Sequence, residues 1–71
     1  MRGFTTKELA IEWAVSYADD ACVDNERFAF VDDPKAVSEY EKQKDDGCCG
    51  FLDETVMVNG KLAMVGCNYG H

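Results

Sequence analysis

Val56-Met57-Val58-Asn59-Gly60-Lys61-Leu62-Ala63 predicts a β-hairpin. Asn59-Gly60 is a strong hairpin signal, because both residues tolerate the positive φ that a type I′ turn demands and both flanks are apolar. A two-residue loop fixes the register. Val58 falls opposite Lys61, Met57 opposite Leu62, Val56 opposite Ala63, Thr55 opposite Met64 and Glu54 opposite Val65. The predicted strands run from Asp53 to Val58 and from Lys61 to Cys67. One face then shows Leu52, Val56, Val58, Ala63, Val65 and Cys67, and the other shows Thr55, Met57, Leu62 and Met64. Both faces are partly apolar, and a two-stranded hairpin is marginal alone in water, so helices or a third strand must cover it.

Upstream, the chain reads as helix, ambiguous segment, helix. Thr5 is an expected N-cap, Glu8 completes a capping box, and Phe4 and Leu9 form a hydrophobic staple. Ala10, Trp13, Ala14, Tyr17, Ala18 and Ala21 recur at helical spacing, widened by Ile11 and Val15. The first helix is therefore expected over Thr6 to Ala18, with Glu8, Glu12, Ser16 and Asp19 outward and Trp13 and Tyr17 in the core. A second helix starts where Asp33 caps and Pro34 takes the first helical position, with Ala36, Val37 and Tyr40 as its apolar stripe. Lys42 and Lys44 suit its last turn and Gly47 its end. Asp20 to Asp33 carries both signals. Asp24-Asn25-Glu26-Arg27 can cap and open a short helix, while Arg27 to Val31 suits a strand; a short helix running into a bend is the favoured reading. Phe28 and Phe30 belong to the core in either case, or anchor a partner. The expectation is a single α+β domain over residues 1–71, with an N-terminal helix, one or two further short helices and a C-terminal antiparallel β-hairpin that a third strand can extend.

The charge is lopsided. Fourteen Asp and Glu stand against seven Lys and Arg, a net of −7, and residues 19–33 alone carry −5. That argues against direct binding to nucleic acid or to an anionic membrane, both of which need a basic face. No apolar run reaches membrane-spanning length, so no transmembrane helix is expected, and no signal-peptide core opens the chain. The one His is His71. Cys48 beside it has no third orienting group and no oxyanion hole, which points away from an enzyme, and no cofactor is expected. The four cysteines Cys22, Cys48, Cys49 and Cys67 read as reduced thiols. The alternative is a small metal-binding or redox-sensing module built on Cys48, Cys49, Cys67 and His71. Their spacing is not that of a zinc knuckle, and the hairpin register separates Cys67 from His71 by about 13 Å along one strand.

The runs Val31-Asp32-Asp33-Pro34, Glu39-Tyr40-Glu41, Gly47-Cys48-Cys49-Gly50-Phe51 and Gly66-Cys67-Asn68-Tyr69-Gly70-His71 resemble small acidic proteins encoded by bacteriophages and related mobile elements, some of them anti-CRISPR proteins. The resemblance implies a single-domain inhibitor of a host defence complex, such as a CRISPR-Cas effector subunit, in the cytoplasm of an infected bacterium. It transfers no functional residue. The charge map supplies candidates for binding a basic nucleic-acid-binding surface by DNA mimicry. Glu8, Glu12 and Asp19 would form one row, and Asp20, Asp24, Glu26, Asp32 and Asp33 a denser patch. Carboxylates at i and i+4 on a helix stand about 6 Å apart along its axis. Duplex phosphates rise about 3.4 Å per residue on each strand, with a sideways step added, so one Lys/Arg groove can accept either.

Overall fold

The computed structural model describes residues 1–18, 23–45 and 50–69, apart from the side chains of Asp24 and Asp45. Its elements are β1 (Gly3–Phe4), α1 (Lys7–Ala18), β2 (Asp24–Phe30), α2 (Pro34–Asp45), β3 (Gly50–Val58) and β4 (Lys61–Tyr69). Two helices and one four-stranded mixed sheet, in the order β1-β3-β4-β2, make the class α+β.

The hairpin stands as its turn requires. Asn59 and Gly60 have φ of 51° and 83°, and the pairs from Val58↔Lys61 to Leu52↔Cys67 follow the two-residue loop. The strands are longer than expected, Gly50 to Val58 and Lys61 to Tyr69.

Two further strands replace the simple hairpin. β2 pairs antiparallel with β4, from Phe30↔Ala63 to Arg27↔Gly66, so Asp24–Phe30 is a strand and the expected short helix does not form. The reason lies at Asn25. Its φ of 49° is left-handed, which breaks a helix but suits the irregularity in register between Asp24 and Arg27. Beyond it, the period-two alternation of Arg27 and Ala29 with Phe28 and Phe30 governs, and β4 gains a partner on its second edge. At the other edge, β1 pairs parallel with β3 through Gly3↔Met57 and Phe4↔Val58.

β1 also shifts the start of α1. Phe4 is held in the sheet, so the chain turns at Thr5 and Thr6, and the cap is Thr6, whose Oγ1 accepts from the Leu9 N–H at 3.3 Å. The Thr5–Glu8 box is therefore not the cap. The expected staple is replaced as well: Leu9 is 45% exposed, and Phe4 packs on Trp13 at 5.7 Å between ring centroids. The cap of α2 is the expected one, with the Ala36 N–H donating to Asp33 Oδ1 at 3.3 Å. The expected stop at Gly47 and the apolar position Ala21 lie outside the described residues.

β1, β2 and β3 run parallel to one another and β4 runs against them. The crossover through α1 spans the sheet in one direction and the crossover through α2 returns, so a common handedness places the helices on opposite faces. Ala10 and Ala14 bring α1 close to Val56, Val58, Ala63 and Val65, with Phe4, Ile11, Trp13, Phe28, Phe30 and Leu52 around them. Strand alternation puts Arg27, Ala29, Asp53 and Gly66 on the other face, where Tyr40 of α2 meets them. Trp13 is half-buried, but Tyr17 is 60% exposed and stacks on Trp13 at 5.4 Å, so it is not a core residue.

Candidate functional site

Under α2, a polar cluster forms around a buried cation. Arg27 is 2% exposed. Its guanidinium donates to Asn68 Oδ1 at 2.6 Å, to the Asn25 carbonyl at 3.2 Å and to the Leu52 carbonyl at 3.4 Å, while its Nε has no partner among the described residues. It lies over the Tyr40 ring at 5.2 Å and near the Phe51 ring at 6.0 Å. Tyr40 donates its hydroxyl proton to Asp53, and Lys44 donates to the same carboxylate at 2.7 Å. Gly66 makes the space for this cluster. A Cβ there would stand 2.7 Å from the Tyr40 hydroxyl and under 3.0 Å from the Leu52 carbonyl oxygen.

The cluster sets its own protonation. Burial pushes the Tyr40 phenol well up, and the Asp53 hydrogen bond and charge add to this, so Tyr40 is a neutral donor. Burial works to raise the Asp53 carboxyl, but hydrogen bonds from Lys44 and Tyr40, with the Lys44 and Arg27 charges, hold it below the usual range. The hydrogen bond to Asp53 raises Lys44 in turn. Tyr40, Asp53 and Lys44 are engaged with one another, and this arrangement fastens α2 to the sheet.

The expected acidic residues separate in space. Glu8 and Glu12 are exposed on α1. Asp32 and Asp33 are exposed in the turn after β2, at the same end of the sheet as Asn59-Gly60, because β2 and β3 run parallel. Glu8, just after β1, belongs to that end too. Glu26 is exposed near the start of β2, and a strand advances about 3.3 Å per residue, so it stands about 13 Å along β2 from Phe30, where the turn that holds Asp32 begins. Asp24 occupies the first position of β2 by its backbone, while Asp19 and Asp20 lie outside the described residues. The described acids thus divide between two ends of the sheet.

The cations are less available than the acids. Arg27 is buried, Lys44 pairs with Asp53, and Lys61 pairs with Asp32 at 3.5 Å. The burial of Arg27 had one sequence signal, a glycine inside a strand pattern, which marks the close approach of another group.

Cys67 is fully buried on the α1 side of the sheet, and burial pushes its thiol up, against thiolate formation. Cys22, Cys48, Cys49 and His71 lie outside the described residues. Among the described residues, no three His, Cys, Asp or Glu side chains are placed to hold a metal ion, and no helix is long and apolar enough to cross a membrane. No family model, curated protein or solved structure matches the chain.

Proposed function

We propose that this protein is a non-catalytic inhibitor whose acidic surface occupies a basic nucleic-acid-binding surface of a host defence complex. A CRISPR effector subunit is the kind of target that its resemblance to small phage proteins implies. One observation carries the reading: Glu8, Glu12, Glu26 and Asp33 stand exposed and make no ion pair among the described residues, in a chain of net −7. An unneutralised anionic surface on a small domain attracts and steers a basic partner. Glu8 and Glu12, one helical turn apart, form the part of it whose spacing is fixed by α1.

The metal or redox alternative needs Cys67 as a ligand, and its complete burial with a raised thiol pKa weighs against that role.

Charge reversal tests the proposal on the complex formed with a captured target. Glu8→Lys with Glu12→Lys, and separately Glu26→Lys with Asp33→Asn to keep the cap, should each weaken binding by about tenfold or more, at about 1–3 kcal/mol per central contact. Glu39→Lys with Glu41→Lys on α2 is the comparison, with a few-fold effect expected. Asp53 is unsuitable as a control because it holds Tyr40 and Lys44. Unchanged inhibition by both charge-reversed variants, with circular dichroism intact, would eliminate mimicry.

A further inference from the structure

The edge of β3 is open over much of its length. β1 covers only Met57 and Val58, whereas β4 pairs with β3 from Gly50 to Val58. Backbone groups of an antiparallel strand alternate in direction residue by residue. The Met57 N–H points away from β4, since it donates to the Arg2 carbonyl at 2.9 Å. Thr55, Asp53 and Phe51, at steps of two, therefore direct their N–H and C=O groups the same way, and no strand lies beside them among the described residues. This free edge is about 13 Å long.

The edge of β2 is a poorer template. Its register is irregular between Asp24 and Arg27, and the Phe30 carbonyl already accepts from the Asp33 N–H at 3.0 Å.

We propose that the β3 edge at Phe51, Asp53 and Thr55 receives an extended segment of a partner protein in which basic and apolar side chains alternate. The occupant follows from charge. A second copy pairing antiparallel about Asp53 would set Glu54 against Leu52, bringing no cation to that carboxylate, and would join two chains of net −7. Acids on an edge discourage self-pairing and leave the edge open to a segment of opposite charge.

The alternation follows from the pleat. Phe51 and Thr55 are exposed on the α2 face, where Asp53 is already held by Lys44, so the partner's side chains on that face are apolar. Leu52 and Glu54 lie on the α1 face. Glu54 is half-buried and makes no ion pair among the described residues, so the intervening partner side chains are Lys or Arg. Backbone hydrogen bonds supply affinity and the alternate side chains supply specificity. None of this depends on the acids of α1 or of the turn after β2.

The probe is a blocked octapeptide of alternating Lys and Val, added to the intact chain. Amide hydrogen exchange read by NMR should slow by about tenfold or more at Phe51, Asp53 and Thr55, while Leu52 and Glu54, already bonded to β4, stay unchanged. The same peptide with alternate amides N-methylated should give no protection, and neither should an alternating Glu and Val peptide. Thr55→Pro removes one outward N–H without touching the bonds to β4 and should abolish the protection. The N-methylated arm decides the matter even if that variant does not fold. The proposal is overturned by unchanged exchange at millimolar peptide, by protection at Phe28 instead, by equal binding of the acidic peptide, or by protection that appears without peptide as protein concentration rises.

Discussion

Replacing Gly66 with alanine adds one methyl group at the point where α2, β3 and β4 converge. The new Cβ would press on the Leu52 carbonyl, which is backbone, and stand 2.7 Å from the Tyr40 hydroxyl. The carbonyl belongs to the backbone of the central strand, so β3 and β4 must part locally, and Tyr40 must yield as well. Overpacking of this kind costs about 1–3 kcal/mol. Displacing Tyr40 also strains its hydrogen bond to the Asp53 carboxylate, a charged-group bond worth about 1.5–3 kcal/mol. Lys44 remains on Asp53 and offsets part of that loss. A net cost of at least about 2 kcal/mol, at about 4–8 °C per kcal/mol for a domain of this size, lowers the melting temperature by about 10 °C or more. Thermal unfolding followed by circular dichroism measures it. Tyr40→Phe identifies the clash, because removing the hydroxyl should shrink the penalty of Gly66→Ala by about 1 kcal/mol in a double-mutant cycle. If Gly66→Ala melts within about 2 °C of the parent, the described packing around Gly66 is wrong.

Three further outcomes are expected. Gly60→Val should cost about 1–3 kcal/mol for a different reason: nothing lies within 4 Å of a Cβ there, but a β-branched residue resists a φ of 83°. A parent-like urea midpoint would refute the turn. The stability advantage of the parent over Asp53→Asn should be flat from about pH 5 to about pH 9, and should decline above that as Lys44, raised by Asp53, loses its proton. It should fall as acid protonates a carboxylate whose folded pKa is depressed, so an advantage that grows on acidification would contradict the cluster. Cys67 should resist a soluble disulfide reagent until the chain unfolds; prompt native-state labelling at Cys67 would place it outside the core.

The sequence discloses elements whose chemistry has one reading. Asn59-Gly60 admits a single loop length and so dictates nine cross-strand pairs. Asp33-Pro34 can cap and open a helix but cannot continue a strand, and α2 begins there. β2 is less legible because Asp24-Asn25-Glu26 offers cap-type residues that a helix start and a bulge both use, and only the positive φ of Asn25 separates them. β1, at two residues, is too short to show periodicity, yet it moves the cap from Thr5 to Thr6 and turns Phe4 toward Trp13. The candidate site suffers in the same way. Acids adjacent in sequence read as one patch, but an extended strand between Glu26 and Asp32 carries them to opposite ends of the sheet. Arg27 reads as a surface charge, because buried arginine is rare unless partnered, and its partners come from Asn68 and Leu52, far along the chain.

If the acidic surface occupies a nucleic-acid-binding one, nucleic acid must compete with this protein for its target. The protein is immobilised, exposed to bacterial lysate at low salt and washed, and the retained material is then challenged with short duplex DNA or RNA in solution. The prediction is that the retained proteins bind nucleic acid, that the nucleic acid elutes them, and that moderate salt does the same, since exposed charges are screened within about 8–10 Å. Retained proteins that stay bound under excess nucleic acid while still binding it themselves would contradict the claim.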